Sequence, residues 1–195
     1  MYCIKQTYNP RTNLKYFDDT TNTDRYQDKI YAYGRKIFAN NNYNNVLDIG
    51  CGSGFKLIKY FHEFDTTGID VPQTVKFLDK KYPDKKWTSI DIENDNINIS
   101  EQYDLVLAID IIEHLSDPDV LLNFINRLSF NTCIISTPER DIVRGINDNG
   151  PPINVCHVRE WNKEEFNNYI STMFNVVDRL IVNKHEQFVV CKKIE

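Results

Sequence analysis

Carboxylates stand in or just after four apolar runs of this 195-residue chain: Asp48 within Val46-Leu-Asp-Ile49, Asp70 after Thr67-Gly-Ile69, Asp91 after Trp87-Thr-Ser-Ile90, and Asp110 after Leu105-Val-Leu-Ala-Ile109. Gly50, Gly52 and Gly54 follow the first run at alternate positions, where the backbone must take positive φ or let a ligand come close. An acid aimed into such a turn repels a pyrophosphate and suits a cationic ligand with an amino group. Asp70 lies 20 residues after Gly50, the length of one turn, one helix and one return strand. That spacing puts a carboxylate where it can accept both hydroxyls of a ribose. Asp91, ending the next strand, is placed to accept from an adenine amino group. Asp110-Ile-Ile-Glu113-His114 then concentrates two acids and a base in one short stretch.

The elements that would carry these groups follow from periodicity. Val46 to Ile49 reads as a buried strand, and Phe55, Leu57, Ile58 and Phe61 fall at helical spacing after the glycine turn. Strands follow at residues 67–71, 87–91, 103–110 and 133–137, with helices between them at 72–82 and 119–128. The run from Tyr103 to Asp110 is continuously apolar, as in the centre of a parallel sheet. Asn162-Lys-Glu-Glu165 has a capping-box shape and opens a last helix reaching residue 174. Two closing strands, 175–182 and 187–192, flank a turn at 183–186. The rhythm predicts a doubly wound α/β sheet of seven strands, mostly parallel, with an antiparallel C-terminal pair and helices on both faces. Residues 138–161 form a long stretch with few apolar residues, and loops of that length inside a compact domain are usually functional or disordered. Leaving a central strand, it lies over the ligand crevice. Residues 1–45 contain a helical stripe of Tyr26, Ile30, Tyr33, Ile37 and Phe38. It is either core cover or part of a lid that turns Tyr16, Phe17, Tyr26 and Gln27 toward the pocket.

Composition bounds the partners. The length suits one domain, read as 1–195, and 41% hydrophobic with 26% charged residues is ordinary for a globular chain. A net charge of −5 without a basic tract gives no nucleic-acid footprint. The five cysteines, Cys3, Cys51, Cys133, Cys156 and Cys191, form no C-x-x-C pair and fit reduced thiols. No apolar signal core or membrane-spanning run is present, so a cytoplasmic protein without membrane association is expected, as a monomer or homodimer.

Taken in order, DIGCGSG, Asp70, Asp91 and YDLVLAIDIIEHLSDP resemble the cofactor-binding motifs of class I S-adenosylmethionine (SAM)-dependent methyltransferases, over about residues 46–140. The resemblance implies a Rossmann-like fold with SAM as cofactor and S-adenosylhomocysteine (SAH) as product. Asp48 and the turn Gly50, Cys51, Gly52 and Gly54 would hold the methionine part, Asp70 with Val71 the ribose, and Asp91 with Ile92 the adenine. Ala108 and Gln27 would complete the cofactor site, and Asp110, Glu113 and His114 would sit beside the transferable methyl group. The STPERD…GPPINVCHVREW stretch, with the YFDD…YQDKIYAYG opening, resembles a subset of small methyltransferases associated with glycosyltransferases. That implies a sugar or nucleotide-sugar acceptor, contacted by Tyr16, Tyr26, Arg140, Arg144 and Arg159. The turn spacing disfavours a nicotinamide enzyme. A methyltransferase for another small metabolite and a silent SAM-binding protein remain the alternatives.

A sugar hydroxyl needs a general base for O-methylation. Histidine titrates near neutrality, and the chain has four. His62, on a helix, and His185, in the terminal turn, are expected in solvent, whereas His114 and His157 point toward the crevice. One of the latter two is expected to be the base; His114 could instead cap the following helix. The three arginines either pair with Asp141, Asp148 and Glu160 at the surface or clamp a diphosphate. No group has the spacing of a zinc site. A lone Mg²⁺ at Asp110, Glu113 and His114 is set aside, and no metal is expected.

Overall fold

The computed structural model describes residues 2–13, 15, 18, 20, 26–94 and 99–194. Seven strands make one sheet: β1 (Asn45–Ile49), β2 (Asp65–Asp70), β3 (Lys86–Ser89), β4 (Gln102–Ala108), β5 (Ser129–Pro138), β6 (Phe174–Val182) and β7 (Glu186–Lys193). The spatial order is β3-β2-β1-β4-β5-β7-β6. The first five are mutually parallel, while β7 is antiparallel to both β5 and β6. This is the sheet the sequence predicts, with β7 inserted between β5 and β6. Among the described residues six α-helices accompany it: α1 (Asp28–Asn40), α2 (Phe55–Phe61), α3 (Pro72–Lys81), α4 (Asp119–Arg127), α5 (Arg140–Arg144) and α6 (Lys163–Ile170). Helix α5 lies inside the stretch expected to be loop. Gly145 ends it at φ 92, and Glu139 caps it by accepting from the Ile142 N–H.

Alternation along the strands builds two apolar layers. Leu105 and Leu107 of β4, and Ile109 just beyond it, join Val46 and Ile134 under α1 and α2, through Ile30, Phe38, Leu57 and Phe61. Val106 and Ala108 join Leu47, Ile49, Cys133 and Ile135 on the other face, under Leu121, Leu122, Phe124 and Ile125 of α4 and Phe166 and Ile170 of α6. The capping box at Asn162 and Glu165 is formed as expected. Among the described residues no helix is long and apolar enough to cross a membrane.

Parallel order puts the ends of β1, β2, β4 and β5 on one edge of the sheet. The register Pro138↔Glu186 brings the start of β7 to that same edge. Every acid singled out above at a strand end therefore converges there. The N-terminal residues strap the loop that follows α5: the Asn9 N–H donates to Asn149 O (2.7 Å), the Arg11 N–H to Val158 O (2.7 Å) and the Tyr8 hydroxyl accepts from the Glu160 N–H (2.9 Å). Tyr16 and Phe17 lie outside the described residues.

Candidate active site

A cavity of about 890 Å³ opens at this carboxyl edge. That is the size of a small-molecule site. Its floor is the glycine turn. Gly50 sits at φ +71 with Ile111 so near that a Cβ would stand 2.7 Å from the Ile111 Cδ1, and Gly52 sits at φ 51. Gly54 differs: a Cβ there would meet Leu78 at 2.8 Å and Trp87 at 3.0 Å, and the residue does not line the cavity. Its place is in packing the turn onto α3 and β3. Asp48 and Ala108 are likewise buried outside the lining. Asp48 accepts from the Tyr31 hydroxyl (2.8 Å), and Tyr31 is the residue that faces the cavity. These three contacts expected with the cofactor are thus indirect.

Asp70 is where expected. Its carboxylate accepts from the Gly52 N–H (2.8 Å) and the Val71 N–H (2.8 Å), which fixes it at the rim of the turn. An ionised carboxylate has about four acceptor positions, so capacity is left for hydroxyl donors from a ligand. Burial raises its pKa, opposed by those backbone N–H groups and by Thr74. Cys51, Val71, Asp91 and Ile92 line the same wall, with Asp91 accepting from the Glu93 N–H and the Asn94 side chain. Lys56, buried in the first turn of α2, also faces in.

The other end of the cavity belongs to Asp110, Glu113, His114, His157 and Glu160. Asp110 is held at φ 50 by Ser136, which donates to its Oδ1 (2.5 Å), and by Gln27 Nε2, which donates to Oδ2 (2.9 Å). Gln27 is itself at φ 66 with its N–H on Glu186 (2.8 Å). Two side-chain-bearing residues in the left-handed region at one contact mark a place where backbone strain is tolerated for position. Glu113 is fully buried; both its oxygens lack a hydrogen bond of normal geometry, and burial next to Asp110 pushes its pKa well up. His114 does not cap α4. Its Nδ1 meets the Cys156 carbonyl (2.9 Å), and burial, then the neighbouring His157, lowers its pKa to about 4. The two imidazoles pack edge to face with centroids 4.7 Å apart. His157 Nδ1 meets Glu160 Oε1 at 2.7 Å, and its Nε2 meets Asn154 Nδ2 at 2.8 Å.

The arginines divide. Arg144 lines the cavity but is paired with Asp148 (2.9 Å) and donates to Pro151 O. Arg140 and Arg159 are buried and outside the lining, contrary to the expected substrate contact. Arg140 donates to Glu160 O and Glu165 (2.7 Å), and Arg159 donates to Leu115 O and Ser116 O. Both hold the 154–161 segment against the rest of the domain. The Val158 N–H, donating to Glu113 O (2.7 Å), ties that segment to the 3₁₀ turn Ile112–His114. His62 is exposed, whereas His185 is half-exposed at the cavity lining, a correction to its expected place in bulk solvent. Tyr26 reaches the rim and remains largely exposed. Tyr31, Lys56, Asn154, Glu160 and Glu186 were missed from sequence. Only Glu160 carried a signal, its position three residues after His157.

The acidic walls and open glycine turn fit a cation-bearing nucleoside ligand. A family model described as a methyltransferase domain matches residues 21–178. The chain belongs to that family. Its sheet and motifs are those of the class I, SAM-dependent kind, and SAM is the cofactor such proteins use. Over 83 residues the chain is 36% identical to a ubiquinone biosynthesis O-methyltransferase of Rhodopseudomonas palustris, which covers 40% of this chain and 32% of that protein. The chain therefore matches about a third of that relative's length. The N-methyltransferase NodS of Bradyrhizobium japonicum, solved with SAH, superposes with TM-score 0.64 at 16% identity, covering 89% of each chain. The Burkholderia thailandensis 1,6-didemethyltoxoflavin-N1-methyltransferase, solved with bound 1,6-didemethyltoxoflavin and SAH, gives a TM-score of 0.63 at 17% identity, covering 86% of this chain and 80% of that one. The [4+2]-cyclase SpnF shares the fold as well, with TM-score 0.71 at 12% identity over 97% of this chain and 87% of its own. Likeness at such identities shows the fold alone.

Proposed function

We propose that this methyltransferase-family protein O-methylates a hydroxyl of a small molecule, a sugar or nucleotide sugar, with SAM as donor. When bound, SAM supplies a methyl group on a sulfonium, already a good leaving partner, so the chain's own work is to orient the acceptor and take its proton. Asp70 and the Gly50–Gly52 turn would hold the nucleoside end, Lys56 and Gln27 the polar end, and Asp91 the base. The observation that carries the reading is the His157–Glu160 pair, facing into the same cavity as Asp70. Glu160 accepts from Nδ1 and leaves the Nε2 lone pair as proton acceptor, a role for which Asn154 must yield its place. His114, with its pKa lowered to about 4, is the weaker base and the packing partner. Of the diphosphate clamp only Arg144 remains.

A second reading keeps the chemistry and changes the acceptor. Val143 and Ile153 line the cavity with half or more of their surface exposed, which favours a small metabolite with an apolar part beside its hydroxyl. Methyl transfer from labelled SAM to nucleotide sugars, free sugars and hydroxylated aromatic compounds separates the two. SAH binding with no acceptor turned over in any class would point to a silent SAM-binding protein instead.

A further inference from the structure

Glu113 and His114, neighbours in sequence, and His157, from the loop after α5, bring three groups with metal-ligand chemistry together at the acceptor end of the cavity. One donor atom each of Glu113, His114 and His157 lies within 4.8 Å of the others. No spacing in the sequence announces this, because His157 arrives on the loop that Arg140 and Arg159 hold in place. We propose that these three residues form a site for one divalent transition-metal ion, of the Zn²⁺ or Fe²⁺ class, with its open positions toward the cavity.

Four observations support it. Neither oxygen of fully buried Glu113 has a hydrogen bond of normal geometry among the described residues; only the Thr137 hydroxyl and its own backbone N–H stand near the carboxyl, and a cation facing it would offset the cost of burying its charge. His114 Nδ1 meets a carbonyl, which only accepts, so that nitrogen carries the proton and Nε2 has the lone pair. His157 Nδ1 meets the Glu160 carboxylate, which leaves its Nε2 likewise basic. An imidazole held on its far nitrogen by a carbonyl or carboxylate is the arrangement found behind metal-bound histidines. Finally, two imidazoles and one carboxylate with open positions suit Zn²⁺ or Fe²⁺ and argue against Mg²⁺ or Ca²⁺, which take oxygen sets. Bonds of about 2.0–2.2 Å put ligand atoms roughly 3–3.6 Å apart. The cluster must therefore contract by about an ångström, and Asn154 must release His157 Nε2, where its amide now donates.

The inference rests on the proposed O-methylation and deepens it. An acceptor hydroxyl bound at an open position loses its proton to solvent as its oxygen becomes an anionic ligand, with no change of oxidation state anywhere. His157 is then a ligand, and a base only in the metal-free protein.

The full chain is stripped with EDTA, dialysed and titrated with Zn²⁺ by calorimetry and with Co²⁺ by visible absorption. One ion per chain is expected, with a d–d band of low-symmetry Co²⁺. Binding is expected to fall more than 100-fold in His157→Ala and in Glu113→Gln, and about 10- to 100-fold in Glu160→Gln, which touches no metal. Binding in Cys3→Ser, at an exposed thiol, is expected unchanged. No stoichiometric binding to wild type, or equal binding by His157→Ala and Glu113→Gln, overturns the site. SAH titration and methyl transfer are read in parallel. Full transfer by the stripped protein overturns the metal's role and leaves His157 as the base, whereas metal binding without SAH binding leaves the ion site and removes the methyltransferase reading. Should Glu113→Gln fail to fold, His157→Ala and Glu160→Gln still decide, because both residues stand outside the helices and strands of the core.

Discussion

Replacing Asp70 by Asn tests the cofactor wall with little change of shape. In the wild type the carboxylate takes two backbone N–H groups at 2.8 Å each and retains acceptor capacity toward the cavity. Hydrogen bonds to a charged acceptor contribute about 1.5–3 kcal/mol each, against about 1 kcal/mol for neutral ones. Asn keeps one oxygen, which at least one backbone N–H will claim, and turns an NH₂ toward the other. A ribose then loses one charge-assisted bond and weakens another, about 2–5 kcal/mol in all by the same figures, or roughly 30-fold to a few thousandfold in SAH affinity. The fold should hardly notice. The charge that burial disfavours is removed while one backbone contact is lost, so the change in stability should stay within about 1 kcal/mol. Isothermal titration with SAH, beside thermal unfolding of the ligand-free proteins, measures both. Equal SAH affinities in D70N and wild type, with both folded, would refute the assignment of Asp70 to the nucleoside.

Other perturbations bear on separate parts of the account. Glu160→Gln removes the charge behind His157 and should lower kcat about 100-fold or more with SAH affinity unchanged; unchanged kcat would remove that pair from the chemistry. Gly50→Ala forces a Cβ against Ile111 (2.7 Å) at φ +71, costing about 1–2 kcal/mol of backbone strain alone, so Tm should fall by about 2–8 °C and SAH binding should be lost; retained binding would mean the turn does not meet the ligand. Arg140→Met leaves Glu165 and Asp141 without their buried partner and should cost about 3–5 kcal/mol, seen in chemical denaturation as a lower midpoint at unchanged slope. Burial holds the Asp70 pKa above its unfolded value, so protonation is favoured by the fold: the burial penalty stands at neutral pH and is relieved as pH falls through that raised pKa. SAH, which needs the carboxylate as acceptor, should bind more weakly over the same fall in pH in wild type but not in D70N.

The sheet was legible because alternation and strand-end acids are local. Val46, Leu105 and Ile134 against Leu47, Val106 and Cys133 give the two faces directly, and β-strand ends in parallel order converge by topology. Boundaries moved by a few residues, as at β5, which runs from Ser129 to Pro138 because β4 pairs its first half and β7 carries the pairing from Cys133 on to Pro138. The cofactor wall was half legible. Asp70 and Gly50 line the cavity, but Asp48 and Gly54 are one layer removed, since a strand-end acid can serve a tyrosine and a glycine can serve a tryptophan as well as a ligand. The arginines were misjudged for a similar reason. Charge in a loop reads as available, and only the fold shows Arg140 and Arg159 spending their donors on carbonyls that shape the loop. Glu186 meets Gln27 across a separation of 159 residues, which no local pattern records, whereas Asn154 and Glu160 stand near His157 in sequence and only the fold shows both held against its ring.

The central claim is methyl transfer at the carboxyl edge of this sheet. Its most direct test is incubation of the folded protein with isotopically methyl-labelled SAM and a panel of nucleotide sugars, sugars and hydroxylated metabolites, read by mass spectrometry of the acceptor with SAH release measured alongside. The account predicts label on a hydroxyl oxygen of one acceptor class, one SAH per methyl transferred, and loss of both in His157→Ala. Folded protein that binds neither SAM nor SAH at saturating ligand, and transfers no label, would contradict it.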